Sequence, residues 1–304
     1  MAEKYYLVLD IGGTKVAGGI SDGKQVFHRM QIPANAQDGA EILIQRITDL
    51  CKTLLQKAQS DDYPVQAVGI GTAGLVDAIQ GHALDAIENL PGWQQIRIAD
   101  RLGTALDRPV FVDNDVNVLA LGEWLHGVGN QYKHVFYIAV GTGIGGALIE
   151  NGKISHGTHY SRGEVGYLVA GMQNGNVMTL EEQAAGPVMT AQYRDQSGDE
   201  TVTSLREVAT RAQNGDALAQ QIITDGATLA GEIIGRFLGA LDTEALIVSG
   251  GVSNIGDLWW QPFIAALARN PLQSIRELPV HHVATGVEAA LNGAAAMAMQ
   301  HMSQ

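Results

Sequence analysis

Two stretches of this chain are built to one plan. LDIGGTKVAGGISDGK runs from Leu9 to Lys24, and AVGTGIGGALIENGK from Ala139 to Lys153. Each passes from an apolar strand through a glycine turn into a second strand, then through an Asp-Gly or Asn-Gly turn to a lysine. The pair reads as the openings of two related halves. Tyr5 to Leu9 and Val16 to Ile20 predict strands, and Gln25 to Gln31 a third, with Ser21-Asp22-Gly23-Lys24 as the hairpin turn between the latter two. In the second half His134 to Val140 predicts a strand, Gly141 to Gly146 a glycine-rich turn, Ala147 to Glu150 another strand, and Asn151-Gly152 a second hairpin turn.

Around these hairpins the apolar spacing alternates between strand and helix. Ala40 to Gln59 predicts an amphipathic helix and Ala67 to Gly71 a short buried strand. Helical runs follow at Val116 to His126, Leu205 to Ala212, Ala217 to Leu238, Pro262 to Ala268 and Gly286 to Gln300, with a strand at Ala245 to Val248. Strands interleaved with helices define an α/β protein. Its 304 residues suffice for two cores of about 150 residues each, and no low-complexity tract separates them.

Charge and cysteine usage narrow the function. A formal charge of -13 with only 19 Lys and Arg argues against a nucleic-acid or anionic-membrane partner, since phosphate backbones are held mainly by those cations. The single cysteine, Cys51, rules out an internal disulfide and a multi-cysteine zinc cage, and its place in a predicted helix makes it a core residue. The N-terminus has no basic-then-apolar signal pattern and there is no apolar run of about 18 residues, so a soluble cytoplasmic protein is expected.

The run Gly141-Thr142-Gly143-Ile144-Gly145-Gly146 matches the dinucleotide fingerprint in letters. That fingerprint needs a helix directly after the glycines. Here a strand and an Asn-Gly turn follow, which argues against an oxidoreductase. A glycine turn in each half, with Thr14 and Thr142 adding hydroxyls, could instead present backbone N–H groups to a polyphosphate; a plain tight hairpin remains the alternative for either turn taken alone. The stretch Arg108 to Asp115 runs from a strand into the helix starting near Val116, so Asp113, Asn114 and Asp115 stand at a strand's carboxyl end and a helix's N-terminus. There a carboxylate either caps the helix or serves as a base, and the helix dipole is expected to keep it ionised.

LDIGGTK, VDNDVNVLALGE, VGTGIGGALIENG, GEVGY and VSGGV, in that order from about Tyr5 to about Ala296, resemble the ROK family of sugar kinases. The resemblance implies a two-lobed ribonuclease H-like (actin-like ATPase) fold, each lobe a mixed sheet flanked by helices. The smaller lobe is expected at 1–117, joined by the C-terminal helix 287–304, with 118–286 as the larger lobe. It further implies ATP and Mg²⁺ as cofactors. Asp10 would help place the metal through water, and Gly12, Gly13, Thr14 and Lys15 would line the phosphate site. Gly141, Thr142 and Gly143 would oppose them, with Gly250 and Gly251 against the nucleotide. Asp115, directly after the Asn of its motif, would be the general base, and Asn114 would bind a sugar hydroxyl. Lobe closure over the sugar and a homodimer are expected.

The sequence departs from the family at RGEVGYLVAGMQNGNVMTLEEQAAG. Most relatives carry a histidine where Tyr167 stands, followed by a cysteine cluster that holds a structural zinc. With neither present, no zinc site is expected. Glu164 survives, and Glu181 (or the adjacent Glu182) falls where the family's second sugar-binding acid does. Tyr167 would offer ring surface to a pyranose. Asn89 and Gly74 match sugar-side loops, while Trp93 reads as packing. His156, His159, His281 and His282 lack a recognised metal-ligand spacing. The expected reaction is ATP-dependent phosphorylation of a hexose, at the 6-hydroxyl of glucose or of a glucose-containing β-glucoside. The alternatives are an N-acetylmannosamine kinase and, from another class, a non-catalytic sugar-sensing regulator. Only nine residues precede Asp10, where the family's repressors carry a DNA-binding segment.

Overall fold

The computed structural model describes residues 4–85, 88–283 and 287–303, Val287 by its backbone alone. Gly286, expected as the first residue of the last helix, lies outside them. The chain divides into two compact units. The first comprises Met1–Gln131, Gly152–Ser161 and Thr285–Gln304; the second comprises Tyr132–Asn151 and Arg162–Ala284. The first unit therefore runs past the boundary expected at 117.

The first unit holds a five-stranded sheet. Its strands are β1 (Tyr5–Ile11), β2 (Lys15–Ser21), β3 (Val26–Pro33), β4 (Val65–Thr72) and β5 (Val110–Asn114), in the order β3-β2-β1-β4-β5. The β1–β2–β3 ladders are antiparallel and the β1–β4–β5 ladders parallel, which makes the sheet mixed. Their register sets Asp10 level with Gly71, and Gly71 level with Asp113. Helix α1 (Ala40–Ser60) buries Leu43, Ile44, Ile47, Leu50, Cys51 and Leu54, an apolar stripe at helical spacing, against Leu7, Leu9 and Ile11 of the sheet. Burial pushes the Cys51 thiol up to about 12, so it stays protonated and inert, as a core residue should. The short helix α2 (Ile98–Leu106), which the sequence reading did not anticipate, adds Ile98 and Leu102 to the same core.

Helix α3 (Asp115–His126) belongs to the first unit because it crosses the C-terminal helix (Val287–Met302) at two glycines. A Cβ at Gly122 would stand 2.6 Å from the Ala289 carbonyl oxygen, and one at Gly293 would strike the Val118 carbonyl. Only bare backbone allows that approach.

In the second unit lie β6 (His134–Val140), β7 (Ile144–Glu150), β8 (Ala245–Ser249) and β9 (Val280–His282), ordered β7-β6-β8-β9, with β6–β7 antiparallel and the rest parallel. The glycine-rich turn is shorter than the sequence suggests. Gly145 and Gly146 already pair with Ala139 and Ile138, and a Cβ at Gly146 would press to 2.8 Å from the Gly163 carbonyl oxygen. The helices are α4 (Glu181–Ala184), α5 (Gly186–Ser197), α6 (Leu205–Gln213), α7 (Ala217–Leu241), α8 (Asp257–Leu267) and the one-turn α9 (Gln273–Arg276). Helix α8 starts five residues before Pro262, where the sequence reading began it. Buried Trp259 and Phe263, stacked at 4.7 Å, hold the helix together across the proline. No helix among the described residues is long and apolar enough to cross a membrane.

Candidate active site

In the first unit the predicted residues converge at the carboxyl ends of β1, β4 and β5. Asp10 is half-buried near the end of β1, and its pKa is pushed up to about 6, by burial first, then by the charge of Asp115, with Lys15 acting in the opposite direction. Asp115 is the first residue of α3, and a Cβ on Gly71 would lie 3.4 Å from its Cα. Burial raises its pKa as well, against the Val116 N–H that it accepts at 2.9 Å. The helix N-terminus, expected to favour the ionised form, thus acts against the desolvation that raises this carboxylate.

Asn114, not either aspartate, caps the helix. Its Oδ1 accepts the N–H groups of Val116 at 2.9 Å and Asn117 at 3.2 Å, and its Nδ2 donates to the Gly74 carbonyl at 2.9 Å. This ties two predicted sugar residues together and leaves one amide hydrogen of Asn114 for a ligand. Gly74 turns the chain at φ 94°, a conformation that suits glycine.

The first glycine turn closes with the Gly12 N–H donating to the Lys15 carbonyl at 3.0 Å, leaving Thr14 and Lys15 exposed. Gly13 presses on Asn89: a Cβ there would come to 2.5 Å from the Asn89 Cβ. Trp93 is a core residue whose Nε1 donates to Thr72 Oγ1 at 3.0 Å, in keeping with its packing role.

Asp113 lies one position before Asn114 and is nine-tenths and more buried, at 2% exposure. It accepts the Asn114 N–H at 2.7 Å and Asn117 Nδ2 at 2.9 Å, and meets His156 Nε2 at 2.5 Å. From sequence, His156 lacks a recognised metal-ligand spacing and reads as a solvated or structural loop histidine. No local signal points to this pairing, because the two residues are 43 positions apart.

The second unit assembles the other glycine turn. The Gly141 N–H donates to the Gly143 carbonyl at 2.9 Å, and the Gly141 carbonyl accepts the Gly186 N–H at 2.9 Å. Gly250, at φ 103°, packs its Cα over the Val140 carbonyl, and Gly251 lies beside Gly141. Gly141, Gly186 and Gly251 open onto a cavity of about 730 Å³ walled by Thr142, Pro187, Thr190, Arg206 and Asn254. Its size falls within the ordinary range for a small-molecule site. Its outer wall, α6, carries no motif by which the sequence could mark it as part of a site.

Glu181 accepts the Ile144 N–H at 2.6 Å and packs against Gly143 and Gly166. Glu182 instead turns back to cap α4, accepting the Thr179 N–H at 2.8 Å and its hydroxyl at 3.0 Å. Of the two acids, Glu181 thus lies at the glycine turn. Glu164 is half-buried just before the short turn Val165–Tyr167, which leaves the Tyr167 side chain 75% exposed. The stretch after Tyr167 forms a hairpin of Val169–Gln173 and Asn176–Thr179. Among the described residues no group of three or more His, Cys, Asp or Glu could hold a metal ion. The Asp10–Asp115 pair does fit Mg²⁺ held mainly by water and phosphate oxygens, since that ion takes only one or two protein carboxylates and would offset both the burial and the Asp115 charge that raise Asp10.

The ROK family profile matches residues 6–301. The glucokinase of Halalkalibacterium halodurans is 28% identical over 281 residues, covering 86% of this chain and 84% of that protein. The N-acetyl-D-glucosamine kinase of Haemophilus influenzae is 29% identical over 309 residues, covering 96% and 98%. Among solved structures, the ROK family glucokinase from Streptomyces griseus in complex with glucose and AMPPNP superposes with a TM-score of 0.79 at 26% identity, over 97% of this chain and 99% of that one. The chain belongs to the ROK family. Its fold is the actin-like ATPase fold of that family's kinases, and its relatives set it among the sugar kinases.

Proposed function

We propose that this ROK-family sugar kinase transfers the γ-phosphoryl group of ATP to the 6-hydroxyl of glucose or of a glucose-containing β-glucoside. The observation that carries the reading is the pair of carboxylates at the strand ends, Asp115 opening α3 and Asp10 close enough to feel its charge. Asp115 accepts the hydroxyl proton as the sugar oxygen bonds to phosphorus and the bond to the ADP oxygen breaks. Its raised pKa brings the base nearer to neutral pH, which favours proton transfer. Asp10 would hold Mg²⁺ through water, and the ion when bound would neutralise charge building on the phosphates.

Gly12, Gly13, Thr14 and Lys15, with Gly141, Thr142 and Gly143, supply N–H and hydroxyl donors to the phosphates, and the cavity beside Gly250 and Gly251 takes the nucleoside. Asn114, Gly74, Asn89, Glu164, Glu181 and Tyr167 contact the sugar. The AMPPNP and glucose bound by the Streptomyces griseus protein support this assignment. A second reading, N-acetylglucosamine as the acceptor, is favoured by the nearly full-length match to the Haemophilus influenzae kinase. A cytoplasmic homodimer accompanies the reading on family resemblance, and light scattering on the purified protein checks the dimer.

The test is ADP release from Mg-ATP across glucose, mannose, cellobiose, N-acetylmannosamine and N-acetylglucosamine. Turnover on glucose or cellobiose that falls by about 10²–10⁴-fold in Asp115→Asn, with ATP affinity retained, is the expected result. Turnover confined to an amino sugar would move the substrate to the second reading. Near-normal activity of the variant would remove Asp115 as the base.

A further inference from the structure

His156 reaches the catalytic strand from a segment, Gly152–Ser161, that belongs to the first unit. Its Nε2 stands 2.5 Å from Asp113 Oδ2, while Asp113 Oδ1 takes the Asn114 N–H at 2.7 Å and Asn117 Nδ2 at 2.9 Å. One carboxylate thus clamps both the last residue of β5 and the third residue of α3. Asp115 lies between those two clamped positions and makes none of these bonds itself. A buried carboxylate depends on the donors that hydrogen-bond it, because removing one leaves a desolvated oxygen unpaired.

The groups facing His156 are few. Asp113 comes from β5, Tyr160 from its own segment stands edge-on at 6.0 Å, and His301 arrives from the C-terminal helix, stacked on Phe111 at 4.6 Å. His156, Tyr160, Phe111 and His301 border a cavity of about 560 Å³ that also meets Ile79 and Thr158. Burial pushes the His156 imidazole down, and the hydrogen bond and charge of Asp113 more than reverse this, so its pKa lies above the ordinary value. His301 is lowered by burial and by His156, against the pull of Asp113.

We infer that His156 is a positioning residue for phosphoryl transfer: by holding Asp113 it fixes the β5–α3 junction and hence the reach of Asp115 toward the sugar hydroxyl. The inference rests on the reading of Asp115 as the base. An ångström of misplacement at a reacting group costs on the order of 100-fold in rate, so the effect falls on kcat. The nucleoside cavity of the second unit shares no residue with this network, so ATP binding is untouched.

The experiment compares His156→Leu, His156→Gln and Asp115→Asn in steady-state kinetics, with ATP-analogue affinity measured separately by calorimetry. Leucine deletes the donor and should lower kcat by about 100-fold with KM for ATP and analogue affinity unchanged. Glutamine restores an N–H donor to Asp113 and should recover most of that loss. It should also remove the contribution of imidazole titration to the pH–rate profile. Should the leucine variant fail to fold, His156→Ala carries the same comparison. Wild-type kcat in the leucine or alanine variant, with Asp115→Asn inactive, would overturn the positioning role and leave the base intact. An equal loss in the glutamine variant, or a loss confined to KM for ATP, would overturn it too. An active Asp115→Asn would sink the base and, with it, this inference.

Discussion

Asp10 and Asp115 are carboxylates that folding brings close at some expense. In the unfolded chain each titrates near 4, whereas in the folded protein burial and the neighbouring charge lift Asp10 to about 6. The sign follows from proton counting. Between pH 4 and 6 the folded state binds more protons than the unfolded one, so stability falls as pH rises through that window and stays lower above it. Asp10→Asn should therefore raise the melting temperature at pH 7, by the equivalent of roughly 1–3 kcal/mol, and give no gain at pH 4, while abolishing Mg-dependent turnover. Thermal melts of both proteins across pH 4–8 decide it; equal gains at both ends would mean that the acid's charge is not the cause. The sequence allowed both acids to be found, because each stands where an apolar strand ends. It did not allow their coupling to be seen, since that depends on the parallel register that sets Asp10 level with Gly71, over which Asp115 lies. Likewise the tie of Asn114 to Gly74 and of His156 to Asp113 exists only once separate segments have been packed.

At the scale of elements, α3 aims Asp115, and α3 is held by its crossing with the C-terminal helix at Gly122 and Gly293. Two effects oppose each other in Gly293→Ala. Helix propensity favours alanine by about 1 kcal/mol, while overpacking a close contact costs about 1–3 kcal/mol. The atom that the new methyl meets is the Val118 carbonyl oxygen, part of a helix backbone that cannot rotate aside, so the second effect should win. The variant should melt lower, by about 2–4 °C for each net kcal/mol, and should lose kcat before it loses ATP affinity. An unchanged or higher melting temperature would mean that the crossing has slack. Elements with strong periodicity were legible before folding: α1 and β6 lie where apolar spacing put them. Others were not. α2 has a regular apolar stripe, Ile98, Leu102 and Leu106, but spans only nine residues; α5 buries only Met189, Thr190 and Tyr193 near its centre, and the Val169–Thr179 hairpin exposes Val169, Met172 and Val177, so neither of these carries a clean apolar period.

For the molecule as a whole, the two units bury separate cores, one around Leu9, Ile47 and Trp93, the other around Phe136, Ile223 and Trp259. The repeated hairpins announce this duplication in the sequence, whereas the division of the chain does not follow from it, because Gly152–Ser161 returns to the first unit. The cavity assigned to the nucleoside is walled by the second unit alone. A ligand that binds only the folded state stabilises it by about 2.7 kcal/mol at one hundred times its dissociation constant, which corresponds to about 100-fold slower opening of whatever it holds closed. Amide hydrogen exchange with a non-hydrolysable ATP analogue at that concentration, and no sugar, should therefore slow most in residues 186–190, 203–213 and 251–255. The core strands β1 and β4 should exchange at nearly the rates of the free protein. Protection that appears first in those strands, with α6 unaffected, would place the nucleotide elsewhere and would take the phosphate role of Gly141–Gly143 with it.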